Sequence, residues 1–318
     1  MSQVLRPTLL CITPSPAIDR TAHVERISLG EVLRPLELVA LPGGKGVNAA
    51  RAAARLGGTV MTTGIAGGHA GRWIVEGLAT EGLDPHWSFA VAEARTTYVT
   101  VDQFGASVIV YERPVPATQQ EFAAFLRLLE DELLPRCGRA IVAGSIPAGI
   151  AATGHAAIVA ASQRAGRPLL VDASGDGLLA ALEAGPDVVK IGRLEAVEAG
   201  IVSASATSLE AAIALVDRGA HLAVVTDGAR TVVAADAERT WHIGVPAVAV
   251  VNAVGSGDSF NAAISLALLD GEPIEAALIR GVAAGSANAL ALGAGMPDPR
   301  IARELEGSVT VTTAERQG

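Results

Sequence analysis

Two glycine-rich turns in this 318-residue chain are each followed by helix-like sequence, and both are built to meet anionic oxygens. The first is Pro42-Gly43-Gly44-Lys45-Gly46-Val47-Asn48, running into residues 49–56. Successive glycines let a backbone approach a ligand closely, and the amides at a helix start favour anions. Lys45 adds a mobile positive charge and Asn48 an amide able to bond hydroxyls. A turn with a chance lysine is the plain alternative. The second turn is Val251-Asn252-Ala253-Val254-Gly255-Ser256-Gly257-Asp258-Ser259-Phe260. Asp258 is the only Asp, Glu, Lys or Arg between Arg239 and Asp270. Aspartate is favoured as a helix N-cap. That role is compatible with chemistry, because a carboxylate at the mouth of a phosphate-binding helix can take a proton from a substrate hydroxyl. Such general-base action supplies about 10²–10⁴ in rate. The amides of Gly255, Ser256 and Gly257 would then stabilise charge on a moving phosphoryl group. There is no GxxxxGK[ST] and no GxGxxG after the first strand, which excludes a P-loop and leaves the dinucleotide fingerprint missing.

The elements that must hold these turns alternate. Short apolar runs at 8–13, 60–66, 140–143, 169–172, 188–191 and 222–226 read as strands. Helix candidates lie between them, near 48–56, 71–81, 119–134, 155–165, 177–183 and 209–218. This predicts an α/β fold with a mostly parallel sheet flanked by helices. Runs at 231–236, 240–243 and 248–251 predict meander or edge strands, and two long apolar helices follow near 258–269 and 273–292. Residues 95–102 and 107–112 interrupt the rhythm as a hairpin around 103–106, and 22–41 could add strands to it. Such an extra sheet is a lid, an interface or a plain surface hairpin.

Half the residues are hydrophobic, 18% are charged and the net charge is −9, so the chain can bury a large core, and its composition argues against disorder. The acidic balance without a basic cluster argues against a nucleic-acid partner. Cys11 and Cys137 form no CxxC, which signals neither a disulfide framework nor a zinc cluster. Residues 1–8 lack the long apolar region of a signal peptide. Residues 140–162 carry no Asp, Glu, Lys or Arg, but Gly144, Pro147, Gly149 and Gly154 break any spanning helix. The expected protein is cytoplasmic, with no membrane partner. Its 24 basic residues are 22 arginines and two lysines, Lys45 and Lys190. A base composition that drives Lys to Arg explains the skew; equally, the two survivors mark sites where a planar fork would not serve.

Gly43-Gly44-Lys45-Gly46-x-Asn48 and Gly255-Ser256-Gly257-Asp258 resemble the two signatures of the phosphofructokinase B (PfkB)/ribokinase family of sugar kinases, over nearly the whole chain. Thr13-Pro14-Ser15-Pro16-Ala17-Ile18-Asp19, Leu29-Gly30-Glu31-Val32-Leu33-Arg34, Asn48-Ala49-Ala50-Arg51 and Gly144-Ser145-Ile146-Pro147-Ala148-Gly149 are similar to its phosphosugar branch. That branch includes 1-phosphofructokinase, tagatose-6-phosphate kinase and the minor 6-phosphofructokinase. The resemblance implies a single ribokinase-like kinase domain over 1–318, with a small β-sheet lid from about 20–41 and 95–113 that clasps a second subunit. It implies Asp258 as catalytic base and Gly255, Ser256 and Gly257 as the anion hole. Asp19, Gly43, Gly44 and Asn48 would hold sugar hydroxyls, and Arg95 the substrate phosphate, helped by Lys45, Arg34 and Ser145. Lys190 would approach the ATP phosphates, Thr226 and Gly228 the nucleotide, and Asn288 the adenosine.

Two departures stand out. The family's Lys-Pro-Asn-x-x-Glu is Lys190-Ile191-Gly192-Arg193-Leu194-Glu195 here, so Glu195 is kept for Mg²⁺ while its asparagine partner is Gly192. Thr231 stands where a second nucleotide-loop glycine is usual. The expectation is an ATP- and Mg²⁺-dependent sugar-phosphate kinase. Fructose 1-phosphate is the leading acceptor, with tagatose-6-phosphate kinase and 6-phosphofructokinase activities as alternatives. A binding protein with weakened catalysis would account for Gly192 and Thr231, and a dehydrogenase would fit the alternation but lacks its glycine fingerprint.

Overall fold

Strands buried on both faces of a parallel sheet need apolar residues at consecutive positions. β1 (Thr8–Thr13) has them, buried from Leu9 onward. The computed structural model describes residues 8–114 and 116–316; the signal-peptide reading of residues 1–8 falls, apart from Thr8, outside them. β2 (Ala17–Val24), β3 (Glu37–Gly43), α1 (Lys45–Arg55), β4 (Thr59–Gly67), α2 (Gly68–Thr80), β5 (Asp84–Pro85) and β6 (Ser88–Ala90) follow. β7 (Arg95–Asp102) and β8 (Ser107–Tyr111) form the expected hairpin. Then come α3 (Gln119–Leu128), β9 (Arg139–Ala143), α4 (Thr153–Arg164), β10 (Leu169–Asp172), α5 (Gly175–Glu183) and β11 (Val188–Gly192). After α6 (Arg193–Glu198), α7 (Ser208–Asp217) and β12 (Leu222–Thr226), the strands β13 (Val232–Ala235) and β14 (Arg239–Gly244) turn antiparallel. α8 (Ser256–Leu269), α9 (Ile274–Ala289), α10 (Pro299–Glu306) and β15 (Thr310–Glu315) complete the described chain.

The main sheet has the order β15-β14-β13-β12-β11-β10-β9-β1-β4-β5, with β6 also beside β4, and it is parallel from β12 to β5. Successive side chains point to opposite faces. Leu10, Ile12, Val142 and Val171 meet Phe125 of α3, Ile158 of α4 and Leu178 of α5. Leu9, Cys11, Ile141 and Leu170 meet Val47 of α1, Ile74 of α2, Ile264 of α8 and Leu278 of α9. Burying each such large side chain contributes about 1.5–3 kcal/mol. The result is a three-layer α/β fold, a mostly parallel sheet between two layers of helices.

A separate sheet of order β3-β2-β7-β8 is built from the strands expected to form a lid. Asp19, Thr21, Val39, Thr97 and Val99 line the cavity on one of its faces. The alternate positions Leu38, Tyr98, Val108 and Val110 are exposed, with Tyr98 registered on Val110.

Some expectations needed correction. Residues 248–251 form no strand: they run as coil, held where Val251 N donates to the Ala289 carbonyl. The helix expected over 119–134 is regular only to Leu128 and continues as a π turn (Leu129–Leu133) and a 3-10 turn (Leu134–Arg136). Pro135 has no N–H to donate, so a regular helix cannot pass through it. α6, α10 and β15 have no counterpart in the sequence reading: α6 is short, and β15 is a polar, exposed edge strand that shows no apolar alternation. α10 does carry a local signal, since Asp298 caps it and Pro299 occupies its first turn. Residues 140–162 resolve into a strand, a loop and a helix. No helix among the described residues is long and apolar enough to cross a membrane.

Candidate active site

The chain leaves β1 toward β4 on one side and later returns to β9 on the other. At such a reversal the loops after neighbouring strands part, and ligands bind in the crevice at the carboxyl ends. A cavity of about 1220 Å³ lies there. Its wall takes Ser15 after β1, Gly144 and Ser145 after β9, Asp172 from β10, Gly192 from β11 and Thr226 from β12. The first turns of α1 and α8 and one face of the small sheet close the other sides.

The glycines are dictated by close approach. Gly44, the N-cap of α1, has φ 108°, and a Cβ there would stand 2.7 Å from the Thr13 methyl. A side chain at Gly43 would occupy the space of the Asp19 carboxylate. Gly255, the N-cap of α8, has φ 83°, and a Cβ would stand 2.6 Å from the Gly295 nitrogen. Only glycine meets both demands without strain. A Cβ on Gly257 would reach 2.6 Å from Lys190 Nζ, so this ammonium group lies directly over the start of α8.

Charges are concentrated around Asp172, which is fully buried. It accepts from Lys45 Nζ at 2.7 Å, Lys190 Nζ at 3.4 Å and Asn261 Nδ2 at 2.8 Å. Burial alone would push its carboxyl up, but Lys45 and Lys190 reverse this and hold it well below the usual carboxylate range. Asp172 in turn raises Lys45 above the usual lysine range. Glu195 accepts from the Gly192 amide at 2.7 Å and lies 3.4 Å from Lys45 Nζ. Asp258 is buried in the first turn of α8 and accepts from Asn48 Nδ2 at 2.9 Å. Burial, then the negative charge of Asp172, pushes its carboxyl up to about 6. A carboxylate with that proton affinity is ionised at neutral pH yet basic enough to take a hydroxyl proton as it is lost. Burial raises Asp19 as well, against the pull of its Thr97 hydrogen bond.

The residues at residues 8–301 match the model of the pfkB family carbohydrate kinases. This chain belongs to that family. It is a sugar kinase, a phosphotransferase with an alcohol acceptor, and its family implies use of ATP. Phosphofructokinase-2 from Escherichia coli, solved in complex with potassium, is 29% identical, covering 95% of this chain and 98% of that one with a TM-score of 0.86. A protein described as a possible 1-phosphofructokinase from Thermotoga maritima shares the fold at 21% identity and TM-score 0.86, covering 96% and 99%. So does Arabidopsis thaliana ribokinase complexed with ribose and ATP, at 22% identity and TM-score 0.74, covering 95% and 99%.

For a pfkB kinase, most residues singled out in the sequence converge. Asp19, Gly44, Lys45, Asn48, Arg95, Ser145, Lys190, Glu195, Thr226, Gly228, Gly255, Ser256, Gly257 and Asp258 line the one cavity, with Gly43 packed behind Asp19. Two do not join them. Arg34 is exposed in the connection between β2 and β3, away from the cavity wall. Asn288 is buried beneath the wall: it accepts from Ser259 Oγ and the Met296 amide and donates to the Val254 carbonyl, bracing the start of α8 from behind. Lys45 and Lys190, expected at opposite substrates, meet on one carboxylate. Arg193 pairs with Asp227 at 3.6 Å and donates to the carbonyls of Ala204 and Ala206. Thr231 closes the turn after β12 with its backbone, its carbonyl accepting from the Asp227 amide at 2.9 Å.

Asp172, Asn261 and Arg51 were missed as site residues. Asp172 did leave a signal: a carboxylate ending an apolar run marks the carboxyl end of a buried parallel strand. Asn261, inside an apolar helix, left only the oddity of a buried amide.

Proposed function

We propose that the enzyme phosphorylates a sugar that already carries a phosphate, converting fructose 1-phosphate and ATP to fructose 1,6-bisphosphate and ADP in the cytoplasm. One observation carries the phosphosugar reading. The Arg95 Nε and the hydroxyls of Ser15 and Ser145 are buried on the wall of the cavity that holds Asp258, and none has a hydrogen-bond partner among the described residues. Leaving buried donors unmade costs about 1–3 kcal/mol each, which a ligand supplying several acceptor oxygens relieves. A phosphate is such a ligand, and an arginine fork suits it. Burial also draws the Arg95 guanidinium below its usual range, so an anion there gains from a poorly solvated cation. Asp258 takes the proton of the acceptor hydroxyl as that oxygen bonds to the γ-phosphorus, and the amides at the start of α8, with Lys190 above them, hold the transferred group.

Mg²⁺ fits this wall. Three carboxylates, Asp172, Glu195 and Asp258, face two ammonium groups, Lys45 and Lys190, so side chains alone leave a nucleotide's phosphates unneutralised. Glu195 is part exposed and is the oxygen donor that a hydrated Mg²⁺ takes. Bound with the nucleotide, the ion would supply positive charge against its phosphates. The exposed apolar face of the lid, with Leu38, Tyr98, Val108 and Val110, supports a homodimer formed through it.

A second reading, 6-phosphofructokinase activity, is favoured by the Escherichia coli phosphofructokinase-2 solved with fructose-6-phosphate, 26% identical and with a TM-score of 0.84. ADP release measured across fructose 1-phosphate, fructose 6-phosphate, tagatose 6-phosphate and their unphosphorylated parents separates the readings. Arg95→Gln should raise the KM for the phosphosugar about 10- to 100-fold, in line with losing one to two charge-assisted bonds, and leave that for ATP alone. Preference for ribose or a nucleoside would sink the phosphosugar assignment.

A further inference from the structure

We propose that Arg51 is a positioning residue for the catalytic base: it fixes the orientation of the Asn48 amide so that an N–H, and not a carbonyl, meets Asp258. The inference rests on Asp258 being the base.

Asn48 and Arg51 lie on the same face of α1, three residues apart. Arg51 Nη1 donates to Asn48 Oδ1 at 3.2 Å, and Asn48 Nδ2 donates to Asp258 Oδ2 at 2.9 Å. The two ends of an asparagine amide have nearly the same shape and opposite hydrogen-bonding character. Turned by half a rotation, Asn48 would set its carbonyl oxygen against the carboxylate, a contact that favours the protonated acid. Arg51 removes that choice, because a guanidinium only donates and the atom facing it must be the oxygen. With one Asp258 oxygen held by the amide, Oδ1 is left to accept the substrate proton.

The arginine is itself held on every side. Nε and Nη2 grip Glu81 at 2.5 and 2.9 Å, Nη2 also donates to the Pro42 carbonyl at 2.7 Å, and Nη1 to the Ala294 carbonyl at 3.4 Å. All five N–H groups of this buried side chain are thereby used. Pro42 opens the first glycine turn, and Ala294 backs Gly255 in the second. Arg51 thus ties both turns to the amide that joins them. A lysine offers three donors from a single point and cannot span this set. Glu81 neutralises the guanidinium, so it does not compete for Asp258.

Removing this control should act through the base. The charged groups around Asp258 are Asp172, Lys45 and Lys190, and all three remain in an Arg51 variant. Losing the Asn48 N–H bond leaves the ionised form of Asp258 less favoured, so the acid limb of the rate profile should move to higher pH. The test is a cycle of Arg51→Lys with Asp258→Asn in the full-length enzyme, using ADP release at saturating sugar phosphate. Misplacing a catalytic group costs on the order of 10²-fold. Arg51→Lys should therefore lower kcat about 10- to 100-fold in the wild-type background, raise the acid limb, and change the residual rate of Asp258→Asn by less than about threefold. Glu81→Gln, at a part-exposed position, should show the same pattern with a smaller loss, and it serves if Arg51→Lys does not fold. Equal losses in both backgrounds with an unmoved limb, or no loss at all, overturn the positioning role. An Asp258→Asn enzyme near the wild-type rate overturns the base assignment instead, so the two failures are distinguishable.

Discussion

α1 and α8 start on the same backbone device and present opposite chemistry. Each has a glycine N-cap at positive φ, Gly44 and Gly255, and neither cap uses a side-chain hydrogen bond. Both starts face the one cavity. The first turn of α1 holds no acid and offers Lys45 and Asn48, whereas that of α8 holds Asp258. A helix start favours an anion in either case. What differs is what the side chains leave for a ligand. On the proposed reading, α1, with its cation and amide, would suit the oxygens of the acceptor; α8 has its own carboxylate, which would be the base, and its amides would remain for the transferred group. The backbone makes both ends hospitable to anions, and one residue in each turn, Lys45 or Asp258, sets the charge that a ligand meets.

The largest effect should come from removing that difference. Asp258→Asn makes the α8 turn neutral, and kcat should fall about 10²- to 10⁴-fold with sugar-phosphate binding largely kept. Steady-state kinetics with calorimetry checks this, and a near-normal rate would mean that the base is elsewhere. Next in size is pH. With its carboxyl pushed up to about 6, Asp258 is ionised above that value and protonated below it, so kcat/KM should fall about tenfold per pH unit under roughly pH 6 and show no such limb above it. The smallest effect should be the contrast between the lysines. Lys190 is buried and Gly257 lies against its Nζ, leaving no room for a planar fork, so Lys190→Arg should lower kcat about tenfold, consistent with the loss of roughly one well-placed interaction. The Lys45 side chain is 40% exposed and can rearrange, so Lys45→Arg should cost less. Unchanged kinetics in both would reduce the arginine skew to base composition.

Much of the fold was readable locally. β10 and β12 have the expected bounds because strands buried on both faces leave uninterrupted apolar runs. β15 was not readable, since an exposed polar edge strand has no alternation to detect. The apolar run at 248–251 misled for the converse reason: high β-propensity does not supply a partner strand. In the site, the glycine turns, Asp258, Lys45 and Lys190 announced themselves by type and spacing. Arg34 sits in a matching motif and Asn288 on a long helix, yet both lie outside the cavity wall, because sequence says which element a residue is on and not which way its side chain leaves it.

Sequence by itself determined the alternating architecture, the two anion-seeking turns and the carboxylate in the second. These follow from periodicity, from glycine's conformational freedom and from the isolation of Asp258 in an apolar stretch. Only the tertiary structure decided that both lysines share Asp172, that Asn48 of α1 reaches Asp258 of α8 across 210 positions of chain, and that Arg51 and Glu81 hold that amide in place. Side-chain pairing at such separations depends on how strands and helices pack. Burial then multiplies the electrostatic weight of each pair, and a linear sequence carries neither distance nor dielectric.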